Sequence, residues 1–265
     1  MDIRLSAIHL YPVKGIRGVS VAAAQVERAG LRHDRRWIIV DERGKFISQR
    51  THPRLALISG NFDGDRLELA GPGREPFQLK VPAGNHRAEV TVWNDRVDAA
   101  VAGPQADRWL SAFLDQPCRL AYLDDAAARP ITSAAGRPAE TVSFADGYPC
   151  LLTSTASVTD LNGRLDDPVP MDRFRPNLVV TGTDAFAEDS WAKVAIGEAV
   201  FRVAGPCSRC GVTTVDQATG ERASEEPLRT LATYRQTAKG IEFGINLVPE
   251  REGTISVGDE VRVEE

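Results

Sequence analysis

The chain has 265 residues, a formal net charge of −5, 42% hydrophobic and 26% charged residues, and four cysteines. That length supports one large domain or two ordinary ones with a sizeable core, and the acidic balance argues against a general nucleic-acid binder. Four cysteines make no disulfide framework, and neither a charged-then-apolar leader nor an apolar run near the roughly 18 to 20 residues that cross a bilayer is present, so a cytoplasmic protein without nucleic-acid or membrane partners is expected.

From Arg4 to Val40 short β runs are broken by Gly and Pro: Leu5 to Tyr11, Val19 to Arg28, and Trp37 to Val40. The turn after Tyr11-Pro12-Val13 puts Lys14, followed by Gly15, at a strand end, where it either contacts an anion or is a solvated loop charge. The stretch Gly30 to Arg36 then crowds three arginines and a histidine directly ahead of an apolar strand. Strand alternation would place Arg35 with Trp37 on one face and Arg36 with Ile38 on the other, so one arginine needs an anionic partner. Asp34 supplies one; a phosphate would serve as well. Further short runs at Lys45 to Gln49, Leu55 to Ile58, Arg66 to Leu69, Phe77 to Val81, Glu89 to Trp93 and Arg96 to Val101 suggest a barrel or sandwich. No phosphate-binding glycine fingerprint follows a strand, so a nucleotide fold is not expected.

Gly103-Pro104 opens the first helix, Gln105 to Leu114, whose Trp109, Leu110, Phe113 and Leu114 stand at helical spacing. Cys118 to Leu123 returns as a strand. Asp124 to Pro138 has no apolar period and is expected as a linker or lid, dividing a domain over 1–123 from one over 124–265. Cys150 to Thr153 follows as a strand, and Ser154 either caps a helix from Thr155 to Leu165 or contributes to an anion site at its N-terminus. Asp172-Arg-Phe-Arg-Pro-Asn177 repeats the crowding of arginines before a strand, Leu178 to Thr181, and two such clusters in an acidic chain point to an interior anion pocket. Asp189 to Trp191, Lys193 to Ile196, Ala199 to Val203, Phe243 to Val248 and Gly253 to Val263 add β structure, with a short helix at Leu228 to Tyr234. The fold class read from this pattern is mainly β with a few helices (α+β).

Gly205-Pro206 is expected to break a strand, and the β-branched run Val212 to Val215 to begin another, leaving Cys207-Ser208-Arg209-Cys210 in the connection. A thiol beside a guanidinium and unpaired N–H groups is set up for nucleophilic or metal-ligating chemistry. Cys118 and Cys150 stand singly in apolar strands and are expected in the core. A thioredoxin-type dithiol or half a zinc site also fits the Cys-Ser-Arg-Cys spacing, but the βαβ context and the second Cys/His pair are missing.

Tyr11-Pro-Val-Lys14, Asp34-Arg-Arg-Trp37, the helix after Ser154, Phe174-Arg-Pro-Asn177, Glu188-Asp-Ser-Trp191, Cys207-Ser-Arg-Cys210 with Thr213-Thr-Val-Asp216, and Phe243-Gly-Ile-Asn246 occur in one order. Together they resemble, over nearly the whole chain, the MOSC family, and within it the amidoxime-reducing molybdenum enzymes. The resemblance implies a MOSC-type β-barrel core packed with an N-terminal β-barrel-like domain, and a molybdenum-pyranopterin cofactor (Mo-molybdopterin) with Cys210 as the protein ligand to the metal. It implies that Lys14, Arg35, Arg175 and Asn177, with Ser154 and backbone of the Asp146-Gly147-Tyr148 loop, hold the pterin, and that Ser208 and Arg209 flank the metal. Relatives carry other residue types at Gly15, Gly147, Tyr148 and Asn246, so backbone contacts or an altered pocket shape are expected there. Asp146 is the candidate proton-managing group, and Cys207 is not a ligand. Pyridoxal phosphate binding is a secondary expectation.

The activity so implied is reduction of a small N-hydroxylated or N-oxygenated substrate, whose oxygen leaves as water. Some relatives carry their own ferredoxin domain with four clustered cysteines; none follows here, so the expected electron donor is a separate ferredoxin-like, flavin or haem protein. The alternative is a cofactor carrier or sulfur-transfer protein without turnover of its own.

Overall fold

Leu5 and Ile8 are three residues apart, so a regular strand would send them to opposite faces, yet both are wholly buried in one core. A register shift between Leu5 and Ala7 in the strand Arg4–Leu10 brings them together. That strand is an inner member of the largest sheet in this computed structural model, which describes residues 2–125 and 128–265. The sheet runs Val261–Glu264, Lys193–Ile196, Ala199–Ser208, Gly240–Arg251, Cys150–Ser154, Leu178–Thr181, Arg4–Leu10, Val19–Val21. Its parallel pair, Cys150–Ser154 with Leu178–Thr181, is joined through the helix Thr155–Asn162, as a parallel crossover requires. An isolated bridge, Arg4 to Glu260, links the inner strand Arg4–Leu10 to the residue before the edge strand Val261–Glu264, so the sheet curls back on itself without a continuous closed ladder.

Three smaller sheets complete the β structure: Trp37–Asp41 with Cys118–Tyr122, Asp95–Val101 and Arg87–Val92; Ala23–Glu27 with Gly253–Ser256 and Gly30–Leu31; and Ser59–Phe62 with Arg66–Gly71 and Arg74–Lys80. Helix Pro104–Leu114 buries Ala106, Leu110, Phe113 and Leu114 against Trp37, Leu55 and Leu67. The mainly β fold with few helices is thus as the alternation predicts, and among the described residues no helix is long and apolar enough to cross a membrane. The division near residue 124 does not separate sheets, because Arg4–Leu10 and Val19–Val21 lie in the large one.

Several local expectations are corrected. Val212 to Val215 is no strand: Gly211–Thr214 is a turn of 3-10 helix, because the Thr213 and Thr214 hydroxyls donate back to the Cys210 and Gly211 carbonyls at 3.0 and 2.8 Å. Gly205-Pro206 does not end its strand either. Ala199–Ser208 continues through it, with register shifts against Gly240–Arg251 at Val203/Gly205 and Pro206/Ser208 that accommodate the proline. Pro53–Leu57 and Ala187–Ser190 are 3-10 turns, and the helix after Ser154 stops at Asn162 rather than Leu165. Of the expected linker, residues 126 and 127 lie outside the described residues; from Arg129 onward it is pinned to the body by a side chain only 3% exposed.

Candidate functional site

Turns, rather than strand centres, deliver the cations. Lys14 follows Val13, whose backbone bridges Trp37, and its own N–H donates to the Trp37 carbonyl at 2.8 Å. Gly15 then turns the chain with φ +90. Arg35 and Arg175 both take left-handed backbone, φ 49 and 54, which non-glycine residues rarely adopt. Strand alternation therefore begins only after Arg35: its guanidinium swings inward, while Arg36 caps the Leu123 carbonyl through Nε at 2.9 Å.

Inside, the Tyr11 ring lies 4.3 Å from both the Arg35 and the Arg175 guanidinium. Arg35 Nη1 donates to Asp34 Oδ2 at 2.6 Å and to Asn177 Oδ1 at 3.0 Å. Asp34 is 2% exposed, so the expected acidic partner is real, and it sits behind the arginine. Asn177 also donates to the His9 carbonyl at 3.2 Å, which makes its amide chiefly the support of Arg35. Burial pulls Arg175 down to about 10, opposed by Tyr11, and the guanidinium stays cationic at neutral pH. Burial pushes the Tyr11 phenol up to about 12, and it donates to the Pro176 carbonyl at 3.1 Å.

Lys14, 7% exposed, donates through Nζ to Asp146 Oδ1 at 2.6 Å. The Trp93 indole N–H donates to the same oxygen at 3.0 Å. Against the upward push of burial, Lys14 and Trp93 hold the Asp146 carboxyl far below the usual carboxylate range, even though its side chain keeps 65% of its surface. At neutral pH it carries no proton to donate. Held in this way, Asp146 anchors Lys14 as an ionised carboxylate.

Five cations, Lys14, Arg35, Arg50, Arg175 and Arg209, line one cavity with one carboxylate, Asp146, and with Cys210. Gly15, Gly147, Tyr148, Asn177, Ser208 and Asn246 share the wall, so every expected site residue but one converges. The exception is Ser154. It is wholly buried, and its hydroxyl accepts from the Ser157 N–H at 3.1 Å as a plain helix cap. Ser208 donates to the Lys239 carbonyl at 2.9 Å and Asn246 to the Pro206 carbonyl at 3.2 Å, contacts that shape the wall around the cysteine. Arg209 faces Cys207 rather than Cys210, with Nη1 3.0 Å from the Cys207 sulfur, while its buried Nε has no partner. Cys118 and Cys150 are buried as expected, and burial pushes their thiols up to about 11 and about 12.

With five cations against Asp146 in the lining and Asp34 behind it, the wall stays net positive and calls for a polyanion, and the adjacent soft sulfur for a metal that brings most of its own ligands. Among the described residues no three of His, Cys, Asp and Glu gather around a possible ion, so a self-contained protein metal site is absent there. A phosphorylated pterin carrying molybdenum fits the donor set; a zinc site does not. Sequence reading passed over Tyr11, Phe46, Arg50 and Trp93 as site residues, because their roles depend on strands and turns remote in sequence. It also missed Gln49, which is 1% exposed, donates to the Gly15 carbonyl at 2.8 Å and pairs with Gln217.

Residues 2–117 match the MOSC N-terminal beta barrel domain and residues 139–262 the MOSC domain. The sequence is 37% identical to mitochondrial amidoxime-reducing component 1 of Homo sapiens, covering 97% of this chain and 82% of that protein. It is 34% identical to mitochondrial amidoxime reducing component 2 of Rattus norvegicus, with 97% and 82% covered. Molybdenum cofactor sulfurase of Oryza sativa subsp. japonica is 33% identical over 93% of this chain and 32% of that protein.

Proposed function

This chain belongs to the MOSC family, and from that premise we propose that it holds a molybdenum-pyranopterin cofactor beside Cys210 and reduces small N-hydroxylated or N-oxygenated compounds with electrons from a separate redox protein. The observation that carries this reading is the single cavity in which five cations face one carboxylate and an accessible cysteine. Lys14, Arg35 and Arg175 would bind the phosphate and pterin edge, Cys210 would ligate the metal, and Ser208 with Arg209 would set the wall beside it. When bound, the group supplies two-electron chemistry that, with two protons, converts an N–OH compound to the N–H compound and water. Asp146 holds the Lys14 ammonium in the wall, and protons reach the substrate from solvent. Pyridoxal phosphate is the less suited occupant, because Lys14 would have to leave its ion pair with Asp146 to form an imine.

Steady-state assay of protein produced in a cofactor-competent host, with a reduced viologen as electron source and benzamidoxime as substrate, tests the proposal. Benzamidine should accumulate. Protein that carries the cofactor but reduces neither benzamidoxime nor hydroxylamine would instead be a carrier.

A further inference from the structure

The turn between the strands Arg87–Val92 and Asp95–Val101 is two residues long, Trp93-Asn94, with Val92 paired to Asp95. The first position of such a turn takes positive φ and normally carries glycine; here Trp93 sits at φ 57. A bulky aromatic held in left-handed backbone is an outlier that folding alone does not call for. Trp93 is also 49% exposed, and of the exposed large hydrophobic side chains among the described residues, Trp93 and Val257, it alone borders the cavity.

What holds it there also belongs to the cavity. The Trp93 N–H donates to Asp146 at 3.0 Å, its ring lies 5.3 Å from that of Phe46, and the Arg50 guanidinium stacks 4.2 Å from its centroid. Phe46 and Arg50 line the cavity. Among the described residues Arg50 has no carboxylate in ion-pair reach, unlike Arg35 and Lys14, so its charge is held by aromatic faces and remains free for a ligand. The rim therefore combines a flat aromatic surface, half open to solvent, with an uncommitted guanidinium at its edge.

We propose that Trp93 and Arg50 are the substrate-selecting rim of the cavity, offering a stacking face to a planar aromatic N-hydroxylated compound and a cation to an acidic substituent on its ring. This rests on the reductase reading of the cavity and narrows its substrate class to flat, acidic ones. The indole gives contact to any π-face, and the guanidinium favours a carboxylate through paired N–H donors.

The test uses the cofactor-loaded full chain with reduced viologen and three probes: acetamidoxime, benzamidoxime and 4-carboxybenzamidoxime. Wild-type kcat/KM should rise in that order. Trp93→Asn, a residue type that tolerates left-handed backbone, should lower the benzamidoxime-to-acetamidoxime ratio about tenfold, the size of a lost aromatic contact. Trp93→Phe should recover most of that ratio, which separates the flat face from the N–H bond to Asp146. Arg50→Gln should lower the 4-carboxybenzamidoxime-to-benzamidoxime ratio about tenfold. Ratios that stay within about twofold of wild type in both Trp93→Asn and Arg50→Gln overturn the proposal. Calorimetric titration of the same probes into the same loaded protein separates the two readings. Kd ratios that shift as described, without turnover, would remove the reductase and keep the rim. Kd ratios that do not shift would remove the rim whatever the turnover.

Discussion

Lys14 and Asp146 meet at the boundary between the cavity interior and solvent, the lysine side chain 9% and the aspartate side chain 65% exposed. Their pH behaviour follows from which way each group is displaced. Asp146 titrates below its ordinary value in the folded chain, so its contribution is complete above about pH 4 and is lost as pH falls further. With so exposed a carboxylate, that contribution is about 1 kcal/mol or less. Lys14 is displaced downward as well, but there the shift disfavours the charged form: burial lowers it from 10.5, so folding disfavours its proton and stability rises as pH climbs through the window below that value. Asp146→Asn removes the partner that holds the proton on Lys14. Thermal melts from pH 7 to 10 should show the variant less stable than wild type at pH 7, with the gap narrowing as pH rises; a gap independent of pH would contradict the account of the pair. The arginine clusters at this scale were legible in sequence, as was Asp34 as a partner. Which arginine turned inward was not, because the left-handed backbone at Arg35 cancels the alternation on which that reading relied.

Loop 143–148, which carries Asp146, Gly147 and Tyr148 to the cavity, has no regular structure and is held by another segment. The Arg129 guanidinium donates to the Ser143, Ala145 and Asp146 carbonyls at 2.9, 2.5 and 2.7 Å, and pairs with Asp95 at 2.8 Å. It satisfies carbonyls that an irregular buried loop would otherwise leave unpaired. Arg129→Met keeps the volume but strands those acceptors and the largely buried Asp95 carboxylate, which costs about 3 kcal/mol. Urea unfolding should show that loss, and hydrogen exchange should show faster opening of 143–148 than of the strand Cys150–Ser154. Unchanged exchange in the loop would mean Arg129 does not hold it. Sequence suggested a linker or lid for 124–138 because the stretch lacks an apolar period; periodicity does not register a single buried arginine whose partners are backbone carbonyls. The same limit explains Gly211–Thr214, where threonine reads as a strand former by propensity and acts here through its hydroxyl.

Across the whole molecule, the cavity is lined by both N-terminal and C-terminal stretches of the chain, the first supplying Lys14 and Arg35 and the second Arg175 and Cys210. The strand Arg4–Leu10 fills the edge of Leu178–Thr181, and Leu5 and Ile8 enter the core formed by Leu152, Val180 and Ile245. Residues 139–265 produced alone would lose that strand and leave apolar faces open, about 1.5–3 kcal/mol for each of the two side chains. The fragment should aggregate or bind hydrophobic dye, and co-production with residues 1–138 should return a soluble complex; a monomeric, cooperatively folding fragment would contradict the shared sheet. The mainly β character was readable from alternation and turn residues. The partnering of the first strand with distant ones was not, since pairing over such separations leaves no local trace. The proposed function requires that this joint cavity hold a metal-bearing pterin through Cys210. Elemental analysis with pterin fluorescence after oxidation, on protein from a cofactor-competent host, tests it most directly: wild type should carry molybdenum and pterin in equimolar amounts, Cys210→Ser should lose the molybdenum, and a Cys210→Ser protein with full molybdenum occupancy would contradict the account.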